Sequence, residues 1–231
     1  MQIIESTVFG VRSAIFRFDS IDRLSSFTLF PMIHVADKSF YDDVLKLLAD
    51  CDVVLTEGVR TKTGTLLTAS YRYFTKNQKL GLVLQSTMSL DDLDADIRHA
   101  DVASDDFSKK WAELPFFQRF LIPVLAPIYG LYLRFFGTRE TIGKGMNLDL
   151  HDHNDAILDD NEALEKIGEI ILDWRDEHLI GVINDYMEQA EGVKRSVGIV
   201  FGARHMRAVI HHLREQNYKV TASDWVNVIR Y

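Results

Sequence analysis

The chain has 231 residues, 47% of them hydrophobic and 26% charged, which is enough to bury a sizeable core in one domain or at most two. A net charge of −8, with no Lys/Arg block, argues against a general nucleic-acid binder, because such a protein needs a basic face to neutralise phosphates. Cys51 is the only cysteine, so an intramolecular disulfide and a cysteine-rich zinc site are excluded. The segment Met1-Gln2-Ile3-Ile4-Glu5-Ser6 lacks the charged-then-apolar layout of a secretory signal, so the expectation is a cytoplasmic protein, with membrane association as its variant.

In chain order, residues 7–18 read as a strand pair or one long strand, with Gly10 offering a bend. The apolar run Phe27-Thr28-Leu29-Phe30-Pro31-Met32-Ile33 predicts a buried strand that delivers His34. Asp37 or Ser39 can cap the next helix, whose apolar face is Phe40, Val44, Leu47 and Leu48. Residues 51–56 read as a short buried strand with Glu57 and Gly58 at its exit. The segment 65–77 is predicted helical, and 81–85 reads as another central strand. Residues 91–113 are acidic and amphipathic, with Ser104-Asp105-Asp106 capping a helix that contains Phe107 and Trp111.

Residues 116–136 would be long enough to cross a bilayer as one helix. Arg119 and Arg134 bracket a shorter apolar interior, however, and Pro123, Pro127 and Gly130 interrupt it. A hydrophobic cap or helical hairpin over the core is favoured, ahead of membrane-surface contact or a homo-oligomer face, with a true span last. Residues 137–154 look like a loop, and 156–189 are mostly helical by the three- and four-residue recurrence of apolar side chains. A second buried strand, Ser196 to Phe201, leads through Gly202-Ala203-Arg204 to His205. A helix over 206–216, a strand over 218–222 and a terminal strand over 225–231 complete the chain.

Strand, His, helix and strand thus occur twice, over 27–57 and 197–225. Each copy has the β-α-β order of a parallel pair. The expected fold is one α/β domain over 1–231, with a mixed, largely parallel central sheet made from two related β-α-β halves. An added helical region, an insertion or cap over 91–190, falls in the middle.

Ligands in open α/β sheets bind beyond the carboxyl ends of the strands, so His34 and His205 suggest one shared site. Glu57 is costly to bury unpaired, and strand adjacency would bring it to the same edge, to accept a proton, bind a metal or orient an imidazole. Its bland alternative is a salt bridge at the next helix. Gly202 gives tight geometry at a strand–helix junction whose N–H groups favour an anion, and Arg204 and Arg207 add positive charge. Arg175, on an amphipathic helix beside Trp174, can clamp a substrate carboxylate or an oxyanion, or else bridge Asp176, Glu169 or Asp173. His151 and His153 would share a side of an extended loop, but no helical ligand pair accompanies them, so a solvated loop is the better reading. Neither a Gly-x-Ser-x-Gly elbow nor a phosphate-cradling glycine loop is present.

The ordered set Pro31-Met32-Ile33-His34, Asp52 to Gly58, Trp174-Arg175-Asp176 and Gly202-Ala203-Arg204-His205-Met206 resembles the TraB/GumN/Tiki superfamily. That group shares its general architecture with erythromycin-esterase-like and ChaN-like proteins. Its motifs are two Gly-x-x-His elements, a glutamate after a strand and an arginine in a late helix; here Pro31 replaces the first glycine. The resemblance implies two related α/β halves with His34, Glu57, Arg175 and His205 lining the site. It also implies hydrolysis, metal-dependent in Tiki-like relatives and by histidine and glutamate acid/base chemistry in esterase-like ones.

The resulting expectation is a hydrolase of a small-molecule or peptide-like ester or amide. A divalent metal on His34, Glu57 and His205 would supply the nucleophilic water, or else one histidine acts directly as base. Gly202 and Arg204 would contact substrate. The alternative is a non-enzymatic ligand-binding or signalling-regulatory protein of the same fold, with 116–136 as its partner surface.

Overall fold

One strand, β8 (Ser196–Gly202), organises the sheet in the computed structural model, which describes residues 1–58, 69–151 and 168–231. It lies between β3 (Ser26–Met32) and β5 (Val53–Thr56), parallel to both, and β7 (Asp96–His99) adds a further parallel strand beyond β5. Val197 to Phe201 are buried without interruption, the pattern of a strand covered on both faces. On the other side of β3 the sheet turns antiparallel. The hairpin of β1 (Ile4–Thr7) and β2 (Gly10–Ser20) joins there, and β9 (Tyr218–Arg230) runs along the whole of β2. The protein is therefore α/β, with a mixed sheet whose centre is parallel.

A second, two-stranded sheet pairs β4 (Val35–Asp37) antiparallel with β6 (Leu82–Leu84). The 81–85 segment is thus a strand, but outside the central sheet. Helix α1 (Lys38–Leu48) follows β4 and buries Phe40, Tyr41, Val44 and Leu48, whereas Leu47 faces out. Asp37 stands at its N-cap position without a side-chain capping bond. Its carboxylate instead receives a two-pronged pair from Arg139, at 2.6 and 2.7 Å.

Helix α2 (Ala69–Phe74) lies within the expected 65–77 helix, whose first residues fall outside the described ones. Between β7 and β8 come α3 (Ser104–Ala112), α4 (Phe116–Phe136), α5 (Arg139–His151) and α6 (Trp174–Gln189). The segment expected as a loop is therefore α5, held by Arg139 to Asp37, to the Leu80 carbonyl and to the Arg230 carbonyl. His151 ends that helix rather than lying in an extended loop, and His153 is outside the described residues. Apolar residues 116–136 form one continuous helix, not a hairpin. Among the described residues no helix is long and apolar enough to cross a membrane.

Helix α7 (Met206–Glu215) connects β8 to β9, as the second β-α-β reading requires. But β9 pairs antiparallel with β2 and never lies beside β8, so the two halves differ in topology. The strands expected over 218–222 and 225–231 are one strand with two irregularities of register. Its long contact with β2 explains Gly10. That residue has φ of +143°, and a Cβ there would come within 2.1 Å of the Ile229 carbonyl oxygen.

Gly10→Ala should therefore lower the unfolding free energy by about 2 kcal/mol or more in urea titration, because strain and a backbone clash coincide. Gly145→Ala, in α5 with nothing within 4 Å of its added carbon, should be neutral or stabilising by up to about 1 kcal/mol.

Candidate functional site

The carboxyl ends of the four parallel strands share one edge of the sheet, and each delivers a polar group there. His34 follows β3, Glu57 follows β5, Asp101 follows β7 and His205 follows β8. Arg175 arrives from above, in the first turn of α6. A π-helical turn at Glu169–Asp173 precedes it. An apolar cluster of Val102, Phe107, Trp111, Leu114 and Ile170, with Trp174 against it, ties α3 to this turn. The flanks of that cluster are Asp101 and Arg175, so its packing sets where the two charges meet.

Arg175 is buried and its guanidinium bridges two carboxylates. Nε donates to Asp101 Oδ1 at 2.9 Å, and Nη2 donates to Asp101 Oδ2 and to Glu57 Oε1, each at 2.6 Å. The Asp101 side chain is fully enclosed and also accepts the N–H groups of Gly58, at 3.1 Å, and Val102, at 2.8 Å. Glu57 Oε2 accepts the Gly202 N–H at 2.5 Å. The junction after β8, expected to attract an external anion, is thus occupied by the protein's own carboxylate. A Cβ on residue 202 would sit 3.1 Å from that oxygen, which is why the small residue suits the position.

Burial pushes the Glu57 carboxyl up, but the guanidinium of Arg175, then the imidazoles of His205 and His34, outweigh it and hold the group down at about 2. Burial works against the charge on Arg175, yet its bonds to Asp101 and the Glu57 charge raise its pKa further above the ordinary arginine range.

His205 is buried and stands edge-on to the Phe201 ring. Its Nδ1 lies 2.6 Å from Asp176 Oδ1, and its Nε2 is 3.7 Å from Glu57 Oε1. An ionised carboxylate only accepts, so Nδ1 is the ring nitrogen that donates to Asp176, and Nε2 is the one turned toward Glu57. The first interval is a hydrogen bond; the second is too long for one. His34 is exposed, with Nδ1 3.2 Å from Gln85 Oε1 and its ring against Tyr71. Gln85 in turn donates its backbone N–H to the His34 carbonyl at 2.8 Å.

The structure therefore gathers Glu57, Arg175, His205 and Gly202, with His34 close enough to bias the Glu57 charge. Arg204 is exposed and makes no hydrogen bond or ion pair with those groups among the described residues. The partner of Arg175 is Asp101, not the neighbouring Asp176, which serves His205 instead. Asp101 is the site residue that the sequence does not single out, whereas Asp176 is named there as an alternative partner of Arg175. Ile97 among polar neighbours is the one sequence signal for β7, which stops at His99, two residues before Asp101.

A divalent metal on His34, Glu57 and His205 meets a poor donor set. Among the described residues no group of three or more His, Cys, Asp or Glu side chains is placed to hold a metal ion. Both Glu57 oxygens already accept hydrogen bonds, and the guanidinium 2.6 Å away opposes a second cation. Compared with protein-family models, with curated proteins and with solved structures, the chain matches none.

Removing one member of this ion cluster leaves a buried charge unpaired. Arg175→Met should cost about 3–5 kcal/mol of stability, and Arg175→Lys should recover little, since an ammonium cannot reproduce the fork. The depressed Glu57 group adds stability that is fully present above its unfolded value of 4.5 and is lost as pH falls from there toward about 2. Urea unfolding measured across that window should show a steeper acid decline for the native protein than for Glu57→Gln.

Proposed function

We propose that the protein is a hydrolase of a small-molecule or peptide-like ester or amide, with His205 as general base and no metal in the reaction. The observation that carries this reading is the Asp176–His205 pair beside Glu57 at the carboxyl edge of the parallel strands. A water donating one hydrogen to His205 Nε2 and the other to Glu57 Oε1 is oriented by two acceptors. As its oxygen attacks the substrate carbonyl, Nε2 takes the proton. The imidazolium that forms is balanced by Asp176 and Glu57, and it returns the proton to the leaving alcohol or amine. Glu57 stays ionised throughout, being held far below the acid range that proton donation at neutral pH would need.

Arg175 acts here as a positioning residue, since its Nε and Nη2 donate to Asp101 and Glu57. His34 and Gln85, on the exposed side, would meet the substrate. The resemblance to the TraB/GumN/Tiki group, and through it to esterase-like proteins, supports the same His/Glu/Arg/His set. The compartment that fits a lone, buried Cys51 is the cytoplasm.

A second reading, a non-enzymatic ligand-binding protein, is favoured by one fact: the His205 side chain retains only 4% of its surface accessible. A panel of aryl esters, amides and peptides separates the two. Hydrolysis should fall by about a hundredfold or more in His205→Gln, with Asp176→Asn lowering kcat and leaving KM nearly unchanged. Equal turnover in wild type and His205→Gln would remove the mechanism. Ligand-induced stabilisation without turnover would favour the binding reading. Treatment with a chelator should leave activity intact, and loss that a divalent ion restores would overturn the metal-free form.

A further inference from the structure

Helix α4 exposes a run of large apolar side chains, the kind of contiguous patch that marks an interaction surface. Among the described residues it packs on α2 and the segment that follows it. Gly130 packs so tightly on α2 that a Cβ would reach within 2.5 Å of the Ser70 backbone, Leu133 is buried, and Asn77 Nδ2 donates to the Arg134 carbonyl at 2.9 Å. The remaining surface presents Phe117, Ile128, Tyr132, Phe135 and Phe136 to solvent, each between 56% and 72% exposed.

Charge distinguishes this region from the rest of the molecule. Residues 69–90 and 114–139 contain no Asp or Glu, yet carry Arg72, Lys76, Lys79, Arg119, Arg134 and Arg139, in a chain whose net charge is −8. Arg139 is paired with Asp37, but Arg72, Lys76 and Lys79 are exposed on the segment that α4 packs against. Aromatic and aliphatic side chains with an all-cationic flank match an anionic lipid interface, where each property adds affinity. The same charge pattern disfavours a second copy, because self-association would bring two cationic surfaces together.

We infer that α4, flanked by the cations of residues 72–79, seats on an anionic lipid surface, lying in the plane of the interface instead of crossing it. One side of the helix stays on α2 while the exposed side enters the headgroup region, with Arg119 and Arg134 at phosphate level.

The test is sedimentation of the full chain with vesicles of phosphatidylcholine alone, and with vesicles of equal parts phosphatidylcholine and phosphatidylglycerol. The protein should pellet with the phosphatidylglycerol vesicles only, and should be released by high salt and by alkaline carbonate. Both F135S/F136S and K76E/K79E should weaken that binding by about tenfold or more, with circular dichroism and Tm unchanged because these side chains are exposed. Absence of pelleting with either vesicle, or undiminished binding by K76E/K79E, overturns the inference. Retention after carbonate extraction would mean a span instead. A dimer by light scattering that F135S/F136S dissociates, without vesicle binding, would assign the surface to a second copy.

Discussion

The guanidinium of Arg175 fixes the geometry on which the site depends. It joins three segments that are remote in sequence: the exit of β5 through Glu57, the exit of β7 through Asp101 and the start of α6. Two buried carboxylates in such proximity would repel each other and protonate, were there no cation between them. With the fork in place Glu57 stays ionised, and Asp101 also secures the backbone of Gly58 and Val102. The apolar cluster around Phe107, Trp111 and Trp174 supplies the packing that a buried ion network cannot supply by itself.

Asp176 is the next residue along the helix from Arg175, so one helical turn serves both the arginine fork and the imidazole. Neighbouring residues on a helix point about 100° apart, which lets Arg175 face the sheet edge while Asp176 reaches toward α7. A π-helical turn precedes that pair. The bond to Asp176 orients the His205 ring, while the Gly202 N–H holds Glu57 beside it. This is hydrogen-bond saturation put to use for placing one ring nitrogen.

Much of this edge is legible in the sequence, because a continuous apolar run that stops at a titratable residue signals a covered strand delivering that residue. That logic locates His34, Glu57 and His205 on one side of the sheet. It fails for β7, whose Asp96, Ile97 and His99 are exposed because the strand lies at the margin, so no apolar run marks it and Asp101 stays hidden. It also fails for α5, where Gly143, Gly145 and Asn147 suggest a loop. Tertiary contacts decide there: Ile142 is buried, and Arg139 is fastened to Asp37. The position of β9 is a similar case. Alternation identifies the strand, while its pairing with β2 in place of β8 depends on the antiparallel ladder closing at Gly10 and Arg230.

The central placement of β8 has a consequence for how the chain is made. Strands β3 and β5 are not neighbours; the gap between them is filled by residues 196–202. A polypeptide emerging from the ribosome would expose two apolar strand margins until that late segment arrives. Sheet closure is thus governed by contacts of great sequence separation, which favours slow acquisition of structure and a need for protection from aggregation during synthesis.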